Sequence, residues 1–89
     1  MNEQERIAML QLGHECCLEP LERLFSEALQ KSDFDRAKSW YQEYSGATKM
    51  LEVLRLISGE EYRSLTENLF CRLLAARYPD THRKENIRL

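Results

Sequence analysis

Residues that turn a chain are scarce here: three glycines and two prolines in 89 positions. With so few places to reverse direction, the elements must be few and long. Cysteine is also sparse. Three cysteines, two of them adjacent as Cys16 and Cys17, cannot complete the disulfide framework that small secreted domains use. A reducing, cytoplasmic setting is therefore expected. No apolar run approaches the roughly 20 residues that span a bilayer, and the opening Met1 to Arg6 is acidic where a secretory leader would be basic, so no membrane contact is expected. The chain lacks a glycine-rich phosphate loop and a Gly-x-Ser-x-Gly elbow. Its only histidines are His14 and His82. These absences argue for a protein that is not an enzyme, with no catalytic residue and no cofactor.

What is present favours helix. Leu, Glu, Arg, Ala, Gln and Lys dominate, all good helix formers. Apolar residues recur at Ile7, Leu10, His14, Cys17, Leu21, Leu24 and Ala28, three and four apart, with Leu18, Phe25 and Leu29 beside them. That spacing predicts a first helix with a heptad seam. Pro20 lies inside it and should kink or break it near residues 17 to 20, because proline removes a hydrogen bond and crowds the carbonyl four residues back. Ala37, Trp40, Tyr44, Ala47, Leu51 and Leu54 repeat the pattern. They predict a second helix over about residues 33 to 57, capped by Ser32 with Asp35 returning the bond. Ser58-Gly59-Glu60-Glu61 forms a fuller capping box ahead of Tyr62, Leu65, Leu69, Leu73 and Ala76. The third helix should stop before Pro79, since the residue preceding a proline avoids helical angles.

Both connections are short, which favours antiparallel neighbours. The expected architecture is all-α: an antiparallel helical hairpin plus a third helix, a small three-helix bundle over residues 1–78. A polar, basic tail able to fray follows over 79–89. If the first two helices pair outward from their turn, residue numbers at one level sum to about 64. Pro20 and Leu18 then lie opposite Tyr44 and Gly46, and Gly46 would be small to admit the kinked partner.

Candidate chemistry is thin. His14 and Cys17 share a helical face and are zinc-ligand types, but a structural site needs four ligands. Even with Cys71 levelled nearby, the set stays short. Both first-helix residues lie on the seam, so they are read as core residues and no metal is expected. The carboxylate pairs Glu15 with Glu19 and Glu60 with Glu61 carry no catalytic reading, the second being explained by capping and the helix dipole. A helix-turn-helix at residues 57 to 59 is disfavoured, because Glu60 and Glu61 would face phosphates.

Two surfaces remain. Trp40, Tyr41 and Tyr44 form the densest aromatic patch, and large amphipathic rings anchor protein interfaces. The charge is divided as well. Residues 72 to 89 hold Arg72, Arg77, Arg83, Lys84 and Arg88 against Asp80 and Glu85, which leaves +3; the preceding residues carry −5 of the net −2. The expected function is a non-catalytic protein–protein interaction module, an adaptor or an inhibitor, binding another protein through Trp40, Tyr41 and Tyr44. Small acidic helical proteins also occur among phage and mobile-element inhibitors of host systems, anti-CRISPR proteins among them, so an inhibitor of that class is one form this expectation takes, although no motif in the sequence carries it. The alternative is a nucleic-acid-associated regulator that uses the five basic residues from Arg72 to Arg88. Met9, Leu12, Leu18, Tyr41, Met50, Val53, Leu56 and Leu74 lie off the seams. A domain of this length buries only about 60 to 65 per cent of its unfolded surface, so a homodimer is expected to cover some of them.

Overall fold

The protein is described here by a computed structural model covering residues 2–78. It contains α1 (Glu3–Gly13), a π-helical turn (His14–Leu18), α2 (Glu19–Gln30), α3 (Phe34–Val53) and α4 (Gly59–Arg77). The described residues are all helical apart from caps and two short turns, with no strand. Three helical rods pack together: the continuous α1–π–α2 rod, α3 antiparallel to it, and α4 against α3 with a minor contact to α2. No helix among the described residues is long and apolar enough to cross a membrane. The tail, residues 79–89, lies outside the described residues.

Pro20 does not break the first rod, which stays helical from Glu3 to Gln30. The helix widens just before it, and the Glu19 N–H reaches the His14 carbonyl, five residues back. Such a π turn relieves the carbonyl that the proline ring would crowd and inserts one residue into the helical count. The inward face therefore slips by one position. Leu18 and Phe25 are buried, at 2% and 0% exposure, where the sequence pattern placed Cys17 and Leu24. Cys17 is exposed, so its assignment to the core is corrected, and His14 is only half-buried.

The core is built from Leu18, Phe25 and Ala28 on the first rod, Ala37, Tyr44 and Leu51 on α3, Leu56 and Ile57 in the following turn, and Leu69 and Leu73 on α4. Thr48 and Thr66 are buried with them, and each hydroxyl donates to the carbonyl four residues back, Tyr44 at 2.7 Å and Tyr62 at 3.0 Å. Back-bonding of this kind lets a threonine enter a core without an unpaired polar atom.

Both corners close in the same way, without glycine. Ser32 and Arg55 adopt left-handed angles, φ 56° and 60°. The Asp33 N–H then reaches Ala28 O and the Ser32 N–H reaches Leu29 O; Leu56 to Leu51 and Arg55 to Glu52 repeat the pattern. These are Schellman endings. They also revise the expected cap. Ser32 ends the first rod, and Asp33 caps α3 by accepting from the Arg36 N–H at 3.2 Å. The second ending stops α3 at Val53 rather than near 57, since the left-handed Arg55 reverses the chain and folds Leu56 back into the core. Ser58 then caps α4 with the full reciprocal box, Glu61 N–H to Ser58 Oγ at 3.0 Å and Ser58 N–H to Glu61 Oε1 at 3.2 Å.

The levelling of the hairpin holds at a different glycine. A Cβ on Gly13 would sit 3.1 Å from Leu51 Cδ2, whereas one on Gly46 would meet nothing within 4 Å. Numbers 13 and 51 sum to 64, so Gly13 is the point of close approach and Gly46 lies on an open flank. Two stability changes follow. Replacing Gly46 with alanine should stabilise the fold by about 0.5 to 1 kcal/mol, because only backbone freedom changes. Ser58→Ala should cost roughly 0.5 to 2 kcal/mol by exposing the first turn of α4. Urea titration reads both, and equal midpoints for wild type and Ser58→Ala would mean that the cap is energetically idle.

Candidate functional site

α3 presents three aromatic rings in two turns, and the helical step sends them in different directions. Tyr44 points into the core at 2% exposure, which removes it from any surface and corrects its placement among partner-contacting residues. Trp40 and Tyr41 are half-buried. Tyr41 leans on Phe70 of α4, with ring centroids 5.8 Å apart and planes at 41°. The tilted packing of two rings adds modestly to their burial, and Phe70 itself remains 44% exposed.

Trp40 stands between two concavities. On one side is an open depression lined by Asp33, Asp35, Arg36, Ser39 and Glu43. On the other is a notch of about 90 Å³ whose walls include Leu24, Glu27, Ala28 and Lys31. Glu27, Asp33, Asp35 and Glu43 outnumber Lys31 and Arg36, and Arg36 is partly spent on Asp33 at 3.6 Å. The rim around the indole is thus acidic.

The basic candidates separate. Arg72 is a structural clamp between α4 and α2: Nη1 lies 3.1 Å from Glu22, Nη2 donates to Ser26 Oγ at 2.6 Å, and the guanidinium sits 5.3 Å over the Phe25 ring. A guanidinium held by a carboxylate, a hydroxyl and an aromatic face is committed within the fold. Its side chain stays 36% exposed, so these partners hold it in place within the fold while leaving part of it at the surface. Arg77 is exposed and lies over Tyr78 at 5.7 Å. Arg83, Lys84 and Arg88 lie outside the described residues. The solvent face of α4 beside the clamp carries Glu60 and Glu67 as well as Arg63, so no basic stripe forms along it.

Cys16, Cys17 and Cys71 are all exposed free thiols. Among the described residues no three or more His, Cys, Asp or Glu side chains converge in a way that could hold a metal ion. The Glu22–Ser26–Arg72 cluster escaped sequence reading. Its signal was slight: Glu22 and Ser26 are four apart on one face, but their partner is 50 positions from Glu22 and belongs to another rod. No protein-family model, curated protein or solved structure matches this chain.

The clamp also reaches Tyr44. Burial pushes its phenol above the ordinary value of 10.0, the Glu22 carboxylate pushes it further, and Arg72 draws it partly back. The fold therefore prefers the neutral phenol. The associated stabilisation is complete below the ordinary value and is lost as pH rises through the higher folded value. Urea midpoints measured between about pH 9 and 12 should fall more steeply for wild type than for Tyr44→Phe. Identical slopes would show that Tyr44 ionises as freely in the folded protein as in the unfolded chain.

Proposed function

We propose that this protein is a non-catalytic protein–protein interaction module, an adaptor or inhibitor working in a reducing, cytoplasmic compartment, and that it contacts its partner through Trp40 and Tyr41. One observation carries the reading: the half-buried indole of Trp40 stands between two concavities under an acidic rim. A ring fixed by packing has little rotamer entropy left to lose on binding, and such anchors contribute disproportionately to interfaces. Asp33, Asp35, Glu43 and Glu27 around it favour a partner patch with basic or amide groups. Self-association belongs to the same reading, since a thin three-rod core leaves apolar side chains uncovered.

The test compares proteins captured from native lysate by immobilised wild type, by Trp40→Ala and by Glu43→Lys, with circular dichroism to confirm that each variant is folded. A common captured protein should be lost or weakened at least about 30-fold in both variants, the range expected on truncating a hot-spot anchor. Equal capture by all three would refute the Trp40 surface. Capture of nucleic acid instead, falling steeply between about 50 and 200 mM salt, would transfer the function to the basic residues from Arg77 onward.

A further inference from the structure

The first rod is one helix in course but not in anchorage. From Leu18 onward it is fixed in the core by Leu18, Phe25 and Ala28, at 2%, 0% and 3% exposure. Before Leu18 no described residue is buried: Arg6, Leu10, Gly13 and His14 are half-buried and the others are exposed. The levelling of the hairpin accounts for the difference. With Gly13 beside Leu51 and α3 ending at Val53, an antiparallel partner reaches back only to about the level of Gln11, and the residues ahead of it project past the end of α3.

What ties α1 to the body is slight. Leu10 leans on the edge of the core, the Gly13 backbone meets Leu51, and Arg6 Nη2 donates to the Leu56 carbonyl at 3.2 Å. An isolated helix needs roughly 12 to 15 residues to persist in water even when rich in alanine, because its first turn is costly to nucleate. α1 has 11 residues. Its last position is Gly13, the residue type that gives up most backbone freedom on folding.

The junction with α2 is weak for a separate reason. Pro20 has no N–H for the turn before it, and that turn is widened over His14–Leu18. Helices bend where a proline or a π turn interrupts the hydrogen-bond ladder. Here both interruptions lie where the half-buried stripe of α1 gives way to the buried residues of the body. We infer that α1 opens as a unit, with the π turn as its hinge and Arg6 as its latch, while α2, α3 and α4 stay folded. Closed, α1 stands against Leu51 and the Leu56 carbonyl; opened, it frees Leu10 and uncovers this end of the core. Any molecule that binds one of the two forms better would shift the balance by its difference in affinity. The device is separate from the function proposed above. Trp40 lies eleven positions along α3 from Leu51, about 16 Å, so partner capture at Trp40 and opening of α1 are read independently.

The experiment is native-state amide hydrogen exchange, followed residue by residue by NMR on the full chain, for wild type and Arg6→Ala. Amides from Ile7 to Gly13 should share one opening constant and be at least about 100-fold less protected than those of Phe25, Tyr44 and Leu69, as expected of a local unit that opens ahead of the whole fold. Their exchange should respond little to low urea, since a local opening exposes little surface. Arg6→Ala should speed exchange in α1 by about three- to tenfold, the loss of one hydrogen bond, and leave Phe25, Tyr44 and Leu69 as they were. Protection over Ile7 to Gly13 equal to that of the core would overturn the inference. So would protection that climbs steadily from Ile7 to Gly13, which is fraying from the end and not rotation about the π turn. An Arg6→Ala variant that leaves α1 unchanged, or that speeds exchange equally throughout the protein, would overturn it as well.

Discussion

Pro20 has no N–H to give, and its ring crowds the carbonyl four residues back. The first rod answers by widening over His14–Leu18, and that one inserted residue decides which side chains face inward on either side of it. Leu10 is on the inner face before the turn; Leu18, Leu21, Phe25 and Ala28 follow after it. Had the helix stayed regular, Cys17 and Leu24 would have replaced Leu18 and Phe25 in the core, with less volume to fill the space against Tyr44. The same turn keeps the rod continuous, so α1 is carried past the end of α3 instead of folding back onto it.

The polar contacts extend this geometry. Arg72 joins α4 to α2 through Glu22, Ser26 and the Phe25 ring, two helices that otherwise barely meet. The clamp sets a cation and a carboxylate side by side near Tyr44. What remains divides the molecule into unlike ends: an acidic region around Trp40 beside the α2–α3 corner, and a neutral, aliphatic region where α1 overhangs α3.

Much of the architecture was legible in the residues. Three- and four-residue spacing marked the rods, Ser58 with Glu61 marked the start of α4, and the scarcity of glycine and proline limited the number of corners. The level relation between the first rod and α3 was legible as well, although it is realised at Gly13 and Leu51 rather than at Gly46. Other features were hidden for identifiable reasons. Ser32 and Arg55 take left-handed angles that neither residue type advertises, and the cost of each, on the order of 1 to 2 kcal/mol, is accepted because the Schellman bonds satisfy helix-end carbonyls and bring Leu56 inward.

The sequence by itself determined an all-helical chain, the approximate positions of its rods and its charge imbalance, because periodicity, capping and composition act over a few neighbouring residues. Tertiary structure alone decided which of Trp40, Tyr41 and Tyr44 face outward, that Arg72 pairs with Glu22 and Ser26, and that Leu18 and Phe25 rather than Cys17 and Leu24 face the core. Each of those outcomes depends on the rotation of one helix against another. That rotation is set by a single residue inserted at the π turn and by packing between positions far apart in the chain, neither of which a local pattern encodes.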